Sequence, residues 1–257
     1  MRIARYSHQG KTGYGVIQDD DTVCELKGCP FESTETGETV GSLSDVKLLA
    51  PVEPSKVVGV GANYMLHIKE GSGDAPAFPM IFLCPPSAVI GPDEPIVIPN
   101  VEGDTCFEGE LVAVIGKEAR KVSEENALDY VLGYTCGNDV STRDIQSAEM
   151  ATGVLLRGKG FDTFKPMGPW ISTDLDPTNL TLKSRVNGEE KQNTSTSDLL
   201  FTVAHLISDM TQAFTLCPGD VIYTGTPAGC GPVQAGDVVE VEISGVGTLS
   251  NPVVSDS

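Results

Sequence analysis

Tryptophan occurs once in this 257-residue chain, aromatic residues make up only 6% of it, and histidine occurs three times. The core must therefore be largely aliphatic, and acid–base chemistry has few imidazoles to draw on. Basic residues are scarce as well: 17 Lys and Arg stand against 36 Asp and Glu, a formal net charge of -19. Such a surface repels phosphate backbones and anionic lipid headgroups, which argues against nucleic-acid and membrane partners. The plain reading of the charge is a solubility adaptation of the kind suited to high salt, and an anionic ligand would need a local cation. No apolar run approaches a membrane span, and the N-terminal MRIARYSHQGKTGYG has no apolar signal core. Seven dispersed cysteines without a C-x-x-C pair read as reduced thiols, so a cytoplasmic protein is expected. Gly59-Val60-Gly61 lacks the third glycine of a dinucleotide fingerprint, and neither a G-x-S-x-G elbow nor a P-loop is present.

What is there points to a mixed, β-rich fold. With 28 Gly and 17 Pro the chain is heavily punctuated by turns, and no steady β-α-β alternation is visible. Short alternating patterns at 2–6 and 14–18 suggest a small N-terminal β subdomain over residues 1–52, with 31–41 as a polar loop. Residues 53–257 are expected to form the main domain, with strands at 56–61, 79–84, 95–98, 107–116, 131–138, 220–223, 238–243 and 248–253. Helices are expected at 63–70, at 123–130 with Ser123 as N-cap, and at 197–214, where Leu199, Leu200, Val203, Leu206, Ile207, Met210 and Phe214 share a face. Residues 71–79 have a loop composition.

The sharpest chemical signal is Phe107-Glu108-Gly109-Glu110 running into Leu111–Ile115. On one strand, Glu108 and Glu110 point to the same face, which continues with Val112 and Val114 and so turns inward. Two inward carboxylates repel each other, and a hard divalent cation resolves the repulsion. A strand end open to solvent, where both carboxylates are harmless, is the reading that the local pattern alone favours. Asp139, at the end of the 131–138 strand, is either a third carboxylate ligand or the N-cap of a helix at 141–146. His67 has Glu70 three residues on, the wiring of a general base or a surface ion pair. His8 and His205 read as exposed.

Six ordered blocks, VVGVGANYMLHIKE (57–70), PPSAVIGPDEPIVIP (85–99), the long FEGEL…TRDIQ block (107–146), RGKGFDTFKPMGPWI (157–171), NTSTSDLLFTVAHLISDMT (193–211) and PGDVIYTGTPAGCGP (218–232), together resemble the fumarylacetoacetate hydrolase family. The resemblance implies a β-roll or barrel of that family's C-terminal type with a small N-terminal subdomain. It implies Mg²⁺ or Mn²⁺, with Ca²⁺ as a crystallographic substitute, bound by Glu108, Glu110 and Asp139. It implies a His67–Glu70 dyad on a lid spanning 66–79, and Arg143, Gln146, Lys159 and Thr226 around the oxo-acid end of a substrate. The activity it implies is C–C hydrolysis of a 2,4-dioxo acid of the acylpyruvate type through a metal-stabilised enolate. Isomerisation of a 2-hydroxyhepta-2,4-diene-1,7-dioate, decarboxylation of oxaloacetate, and a catalytically silent metal-binding scaffold are the alternatives. Homodimers are common in the family. One departure bears on the substrate: where many relatives have Lys in F-L-K-P, this chain has Cys84.

Overall fold

Aliphatic side chains at alternate positions need two apolar surfaces to lie against, and the chain supplies them as packed sheets. The computed structural model describes residues 1–70 and 73–256, with twenty strands in three sheets and a few short helices among them. The mixed, strand-dominated class expected from the sequence is the one observed.

The central sheet has twelve strands. From edge to edge its main path runs Thr36–Ser42, Thr22–Leu26, Lys11–Ile17, Arg2–His8, Lys165–Ser172, Val131–Asn138, Gly109–Ile115, Val221–Tyr223, Val57–Gly61 and Met80–Cys84. The N-terminal strands continue this sheet, since Arg2 and Ile3 pair with Ser172 and Ile171. A five-stranded sheet, Glu189–Ser195, Thr181–Val186, Val238–Ile243, Gly247–Ser255 and Ile96–Ile98, packs against it. Leu111, Ala113 and Ile115 face that layer and meet Leu182, Val241, Ile243 and Leu249, together with Leu206, Ile207 and Met210 of the helix Val203–Ala213. Val112 and Val114 face the other way, into a cluster with Met167, Ile171, Val221 and Tyr223. The Gly109–Ile115 strand is thus buried on both faces. Alternation alone therefore does not tell which face a carboxylate occupies there.

Several local expectations are corrected. Residues 31–41 are not all loop, because Thr36–Ser42 forms the outermost strand; its polarity is that of an exposed sheet edge. The expected strand 107–116 is two strands, Thr105–Phe107 in a small three-stranded sheet and Gly109–Ile115 in the central one, with Glu108 at the break. The helix expected at 197–214 begins at Val203 under a Thr202 cap; Leu199 and Leu200 instead pair with Tyr64 and Asn63. Ser123 does stand at an N-cap position, but of a 3-10 helix, Glu124–Tyr130, and its hydroxyl accepts from Asn126 rather than capping. Of the residues expected to form a lid, Gly71 and Ser72 lie outside the described residues. Gly59 and Gly61 have a packing reason: a Cβ at either would run into Phe82 or Met80 of the neighbouring strand.

Asp220 ties the 55–56 connection to this core. Fully buried, it accepts from Ser55 Oγ (2.7 Å), Lys56 N (2.8 Å) and Cys217 N (2.7 Å), and pairs with Lys56 Nζ at 2.7 Å. Asp220→Ala strands these donors, so urea denaturation should show a loss of about 3 kcal/mol; a loss below about 1 kcal/mol would mean that water replaces the carboxylate.

Candidate metal centre and active site

The break at Glu108 is where the site is built. Asn138, last residue of its strand, accepts the Glu108 N–H on Oδ1 at 2.8 Å, while the Asp139 N–H donates to the Glu108 carbonyl at 2.8 Å. These bonds clamp the crossing between two sheets to the end of the Val131–Asn138 strand. Glu110 sits opposite Gly137 in the central sheet. Glu108, Glu110 and Asp139 thereby come together, each buried, with one carboxylate oxygen from each within 4.8 Å of the others. Asp139 is not an N-cap: the helix Arg143–Met150 starts after Thr142. The solvent-exposed reading of the two glutamates is likewise excluded, at 4% and 1% exposure.

Cations surround part of this cluster. Lys159, on the short helix Arg157–Gly160, donates to Glu108 Oε2 at 2.6 Å and Asp139 Oδ2 at 2.8 Å. Arg143 NH1 lies 2.6 Å from Glu108 Oε1, and Lys165 Nζ lies 2.6 Å from Asp139 Oδ1. The Lys165 contact is out of hydrogen-bond alignment, so Asp139 Oδ1 accepts no hydrogen bond. Burial alone would raise the Glu108 carboxyl, but Lys159 and Arg143 outweigh it and hold it at about 2. Among the described residues no cation is in ion-pair contact with Glu110, which accepts the Gly225 N–H at 2.8 Å; burial first, then Asp139 and Glu108, raise it well above the usual carboxylate range. Oxygen-only donors, an unbonded Asp139 oxygen and a glutamate lacking a cation make a group that can hold a hard divalent metal.

A cavity of about 230 Å³ opens over the cluster, lined by His67, Glu108, Arg143, Gln146, Lys159 and Thr226 among others. Six of the nine residues singled out in the sequence therefore share one cavity wall. Glu70 lies behind His67, its Oε2 3.3 Å from Nδ1, and is half exposed. Asp74 also lines the cavity. Several expected substrate contacts are committed inside the protein. Two Lys159 donors go to carboxylates, Arg143 donates to Gln146 Oε1 (2.8 Å) and Cys230 Sγ (3.2 Å), and the Thr226 hydroxyl donates to the Gly109 carbonyl (3.0 Å). His8 and His205 are elsewhere, on the Asp45 carbonyl and on Glu124. Cys84 is buried behind Lys159, its Sγ 3.5 Å from the Lys159 carbonyl, and is absent from the cavity wall. Burial, against the pull of Lys165 and Lys159, pushes its thiol up to about 11.

Sequence reading missed four supporting groups. Gln192 receives Ser184 and the Gly109 N–H on Oε1 and donates to Thr226 Oγ1 and the Pro227 carbonyl. Nothing in Glu-Glu-Lys-Gln-Asn-Thr-Ser marks it. Asn63 bridges Phe201 and Thr224 from a fully buried position. Lys165 does have a signal, a lone lysine inside the apolar run Phe164–Ile171. Glu149 is the fourth. Its carboxylate gathers the N–H groups of Leu156 (3.1 Å), Arg157 (3.0 Å) and Gly158 (2.9 Å) and pairs with Arg157 Nε at 3.2 Å, holding the turn that presents Lys159. Gly158 is required there, since a Cβ would come within 2.6 Å of the Gln146 nitrogen.

Burial disfavours the Glu149 charge, but the three N–H groups and Arg157 prevail and lower its carboxyl to about 2. A carboxyl depressed in the folded state contributes stability above its unfolded value, near 4.5, and loses it as pH falls toward 2. Glu149→Gln should therefore remove about 3 kcal/mol at pH 7 and flatten the acid limb of stability between pH 5 and 2; parallel acid limbs in the two proteins would disprove the clasp.

Comparison with known proteins agrees with this architecture. Residues 56–254 match the family model described as fumarylacetoacetate (FAA) hydrolase C-terminal, and residues 1–51 match one described as Rv2993c-like, N-terminal. The chain is 46% identical to Protein Rv2993c of Mycobacterium tuberculosis over 99% of its own length and 98% of the relative's. It is 42% identical to the oxaloacetate tautomerase fahd2 of Xenopus laevis, over 86% of this chain and 72% of that one. The crystal structure of 2-hydroxyhepta-2,4-diene-1,7-dioate isomerase from Mycobacterium marinum superposes with a TM-score of 0.91 at 43% identity, covering 100% of this chain and 99% of that chain. With the buried carboxylate cluster, the cavity over it and these likenesses, the chain belongs to the fumarylacetoacetate hydrolase family.

Proposed function

We propose that the protein is a divalent-metal-dependent tautomerase or isomerase that moves a proton at the carbon next to the carbonyl of a 2-oxo acid. The observation behind this reading is that His67, alone among the three histidines, lines the cavity that also exposes Glu108. Glu108, Glu110 and Asp139 would hold Mg²⁺ or Mn²⁺. That ion, when bound, supplies Lewis acidity to a chelating 2-oxo acid. His67 points Nδ1 at Glu70, which leaves Nε2 to take a proton from carbon and return it to oxygen, or the reverse. Gln146, whose Oε1 is held by Arg143, keeps its amide N–H groups for a substrate carboxylate, and Thr226 keeps a lone pair. Lys159 and Arg143 act mainly by balancing the carboxylates. Closure of the helix Met65–Glu70 over the cavity would exclude water from the transfer.

Proton transfer needs a single relay, and the cavity offers one imidazole. The names of the Xenopus laevis tautomerase and the Mycobacterium marinum isomerase point the same way. Hydrolysis of an acylpyruvate C–C bond is the second reading, favoured by the same dyad, which can equally activate a water. The division at residue 52, a cytoplasmic location and a homodimer belong to this proposal as well. Exposed Leu66, Phe78, Leu83 and Val154 are apolar surface that a second copy can cover, and light scattering on the purified chain measures this.

The reading is tested with oxaloacetate and acetylpyruvate in MnCl₂ or MgCl₂, following exchange of the oxaloacetate C3 protons by NMR, pyruvate release and acetylpyruvate cleavage. Accelerated exchange without cleavage is expected; acetylpyruvate cleavage without exchange selects the hydrolase, pyruvate and CO₂ release from oxaloacetate a decarboxylase, and silence on all three overturns the tautomerase reading. His67→Gln should lower the rate by about 100-fold or more while leaving Mn²⁺ binding intact. Glu108→Ala should abolish the rise in melting temperature that MnCl₂ produces, and full metal affinity in that variant would sink the ligand set.

A further inference from the structure

The interior holds a second ammonium that catalysis as proposed does not use. Lys165 opens the strand Lys165–Ser172 and is 0% exposed. Its Nζ donates to the carbonyl oxygens of Lys159 and, at 3.0 Å, of Phe164, and approaches Asp139 Oδ1 to 2.6 Å. A lysine removed from water costs several kcal/mol unless a charge compensates it, and among the described residues Asp139 is the carboxylate in ion-pair contact with it. From another strand, Cys84 points its thiol at the same Lys159 carbonyl, at 3.5 Å. Positions 84 and 165 therefore converge on one oxygen in one buried pocket. The pocket contains one side-chain ammonium in contact with that oxygen, and it comes from position 165. Position 84 is also where this chain departs from F-L-K-P.

We propose that Lys165 is a positioning residue of the metal centre, compensating and orienting Asp139 from strand Lys165–Ser172, and that the same ammonium can be delivered from position 84. This inference rests on the metal reading of Glu108, Glu110 and Asp139. The geometry separates it from mere space-filling: an apolar side chain of similar length would fill the pocket but leave Asp139 with Lys159 alone. Both side chains reach the same Lys159 carbonyl, so the source of the ammonium matters less than its presence.

Full-length Lys165→Met, Cys84→Lys and the exchanged double variant, Cys84→Lys with Lys165→Met, are compared by thermal denaturation in EDTA and in MnCl₂. Lys165→Met should lower the melting temperature in EDTA by roughly 10 °C and enlarge the rise produced by MnCl₂, because Asp139 then depends on the ion for compensation. Cys84→Lys alone should also lower it, by crowding two ammoniums together. The exchange should recover most of the EDTA value and the wild-type MnCl₂ rise. Unchanged behaviour of Lys165→Met, or an exchange no better than that variant, overturns the proposal. If Lys165→Met does not fold, the exchange decides: a folded double variant supports the proposal and an unfolded one overturns it. A wild type without any MnCl₂ rise overturns this inference and the metal reading together, whereas a wild-type rise that Lys165→Met leaves unaltered overturns this inference alone.

Discussion

Three carboxylates held within 4.8 Å of one another in a buried pocket are the constraint around which the rest is arranged. At an effective dielectric near 20, two like charges at that separation repel by roughly 3–4 kcal/mol. Three such pairs amount to about 10 kcal/mol, comparable to the whole net stability of a domain. The chain answers with Lys159 and Arg143 on Glu108 and with Lys159 and Lys165 on Asp139. Among the described residues Glu110 is left without a cation of its own, and a divalent ion is the partner that would complete the balance. The acidic surface does not enter this local account, because Lys159 and Lys165 are buried beside the carboxylates and Arg143 is half-buried against Glu108.

The fold serves that balance by joining two sheets at Glu108. Thr105–Phe107 belongs to one sheet and Gly109–Ile115 to another, and the residue between them is held by Asn138 and Asp139. A seven-residue strand buried on both faces gives the crossing a rigid base, so Glu110 is carried by the least exposed part of the chain. The cations arrive from elements that need their own supports. Lys159 depends on the turn gathered by Glu149 and on the absence of a side chain at Gly158. His67 and Glu70, by contrast, sit on a six-residue helix at the rim and are partly exposed.

The sequence carried the strands well where alternation or apolar runs were long, as at Arg2–His8, Val131–Asn138 and Val238–Ile243. It misread the polar edge strand Thr36–Ser42, because an edge exposes most of its side chains and so resembles a loop. It merged Thr105–Phe107 with Gly109–Ile115, because a one-residue change of sheet leaves no mark in periodicity. The helix at 197–214 was extended by Leu199 and Leu200, whose burial comes from pairing with Asn63 and Tyr64 across a loop.

Of the site, local pattern supplied the two glutamates, Asp139 as a candidate third carboxylate and the His67–Glu70 pair, and ordered blocks supplied Arg143, Gln146, Lys159 and Thr226. These are determined by the sequence alone in the sense that residue type and neighbours already imply their chemistry. Whether the carboxylates were buried or exposed, and whether the cations faced a ligand or faced them, was decided only by tertiary structure. Lys165 and Cys84 lie 81 positions apart, and Lys159 and Glu108 lie 51 apart, as the residue numbers give. Charge compensation acts over a few ångströms in space regardless of separation along the chain, so no local pattern records which lysine balances which carboxylate.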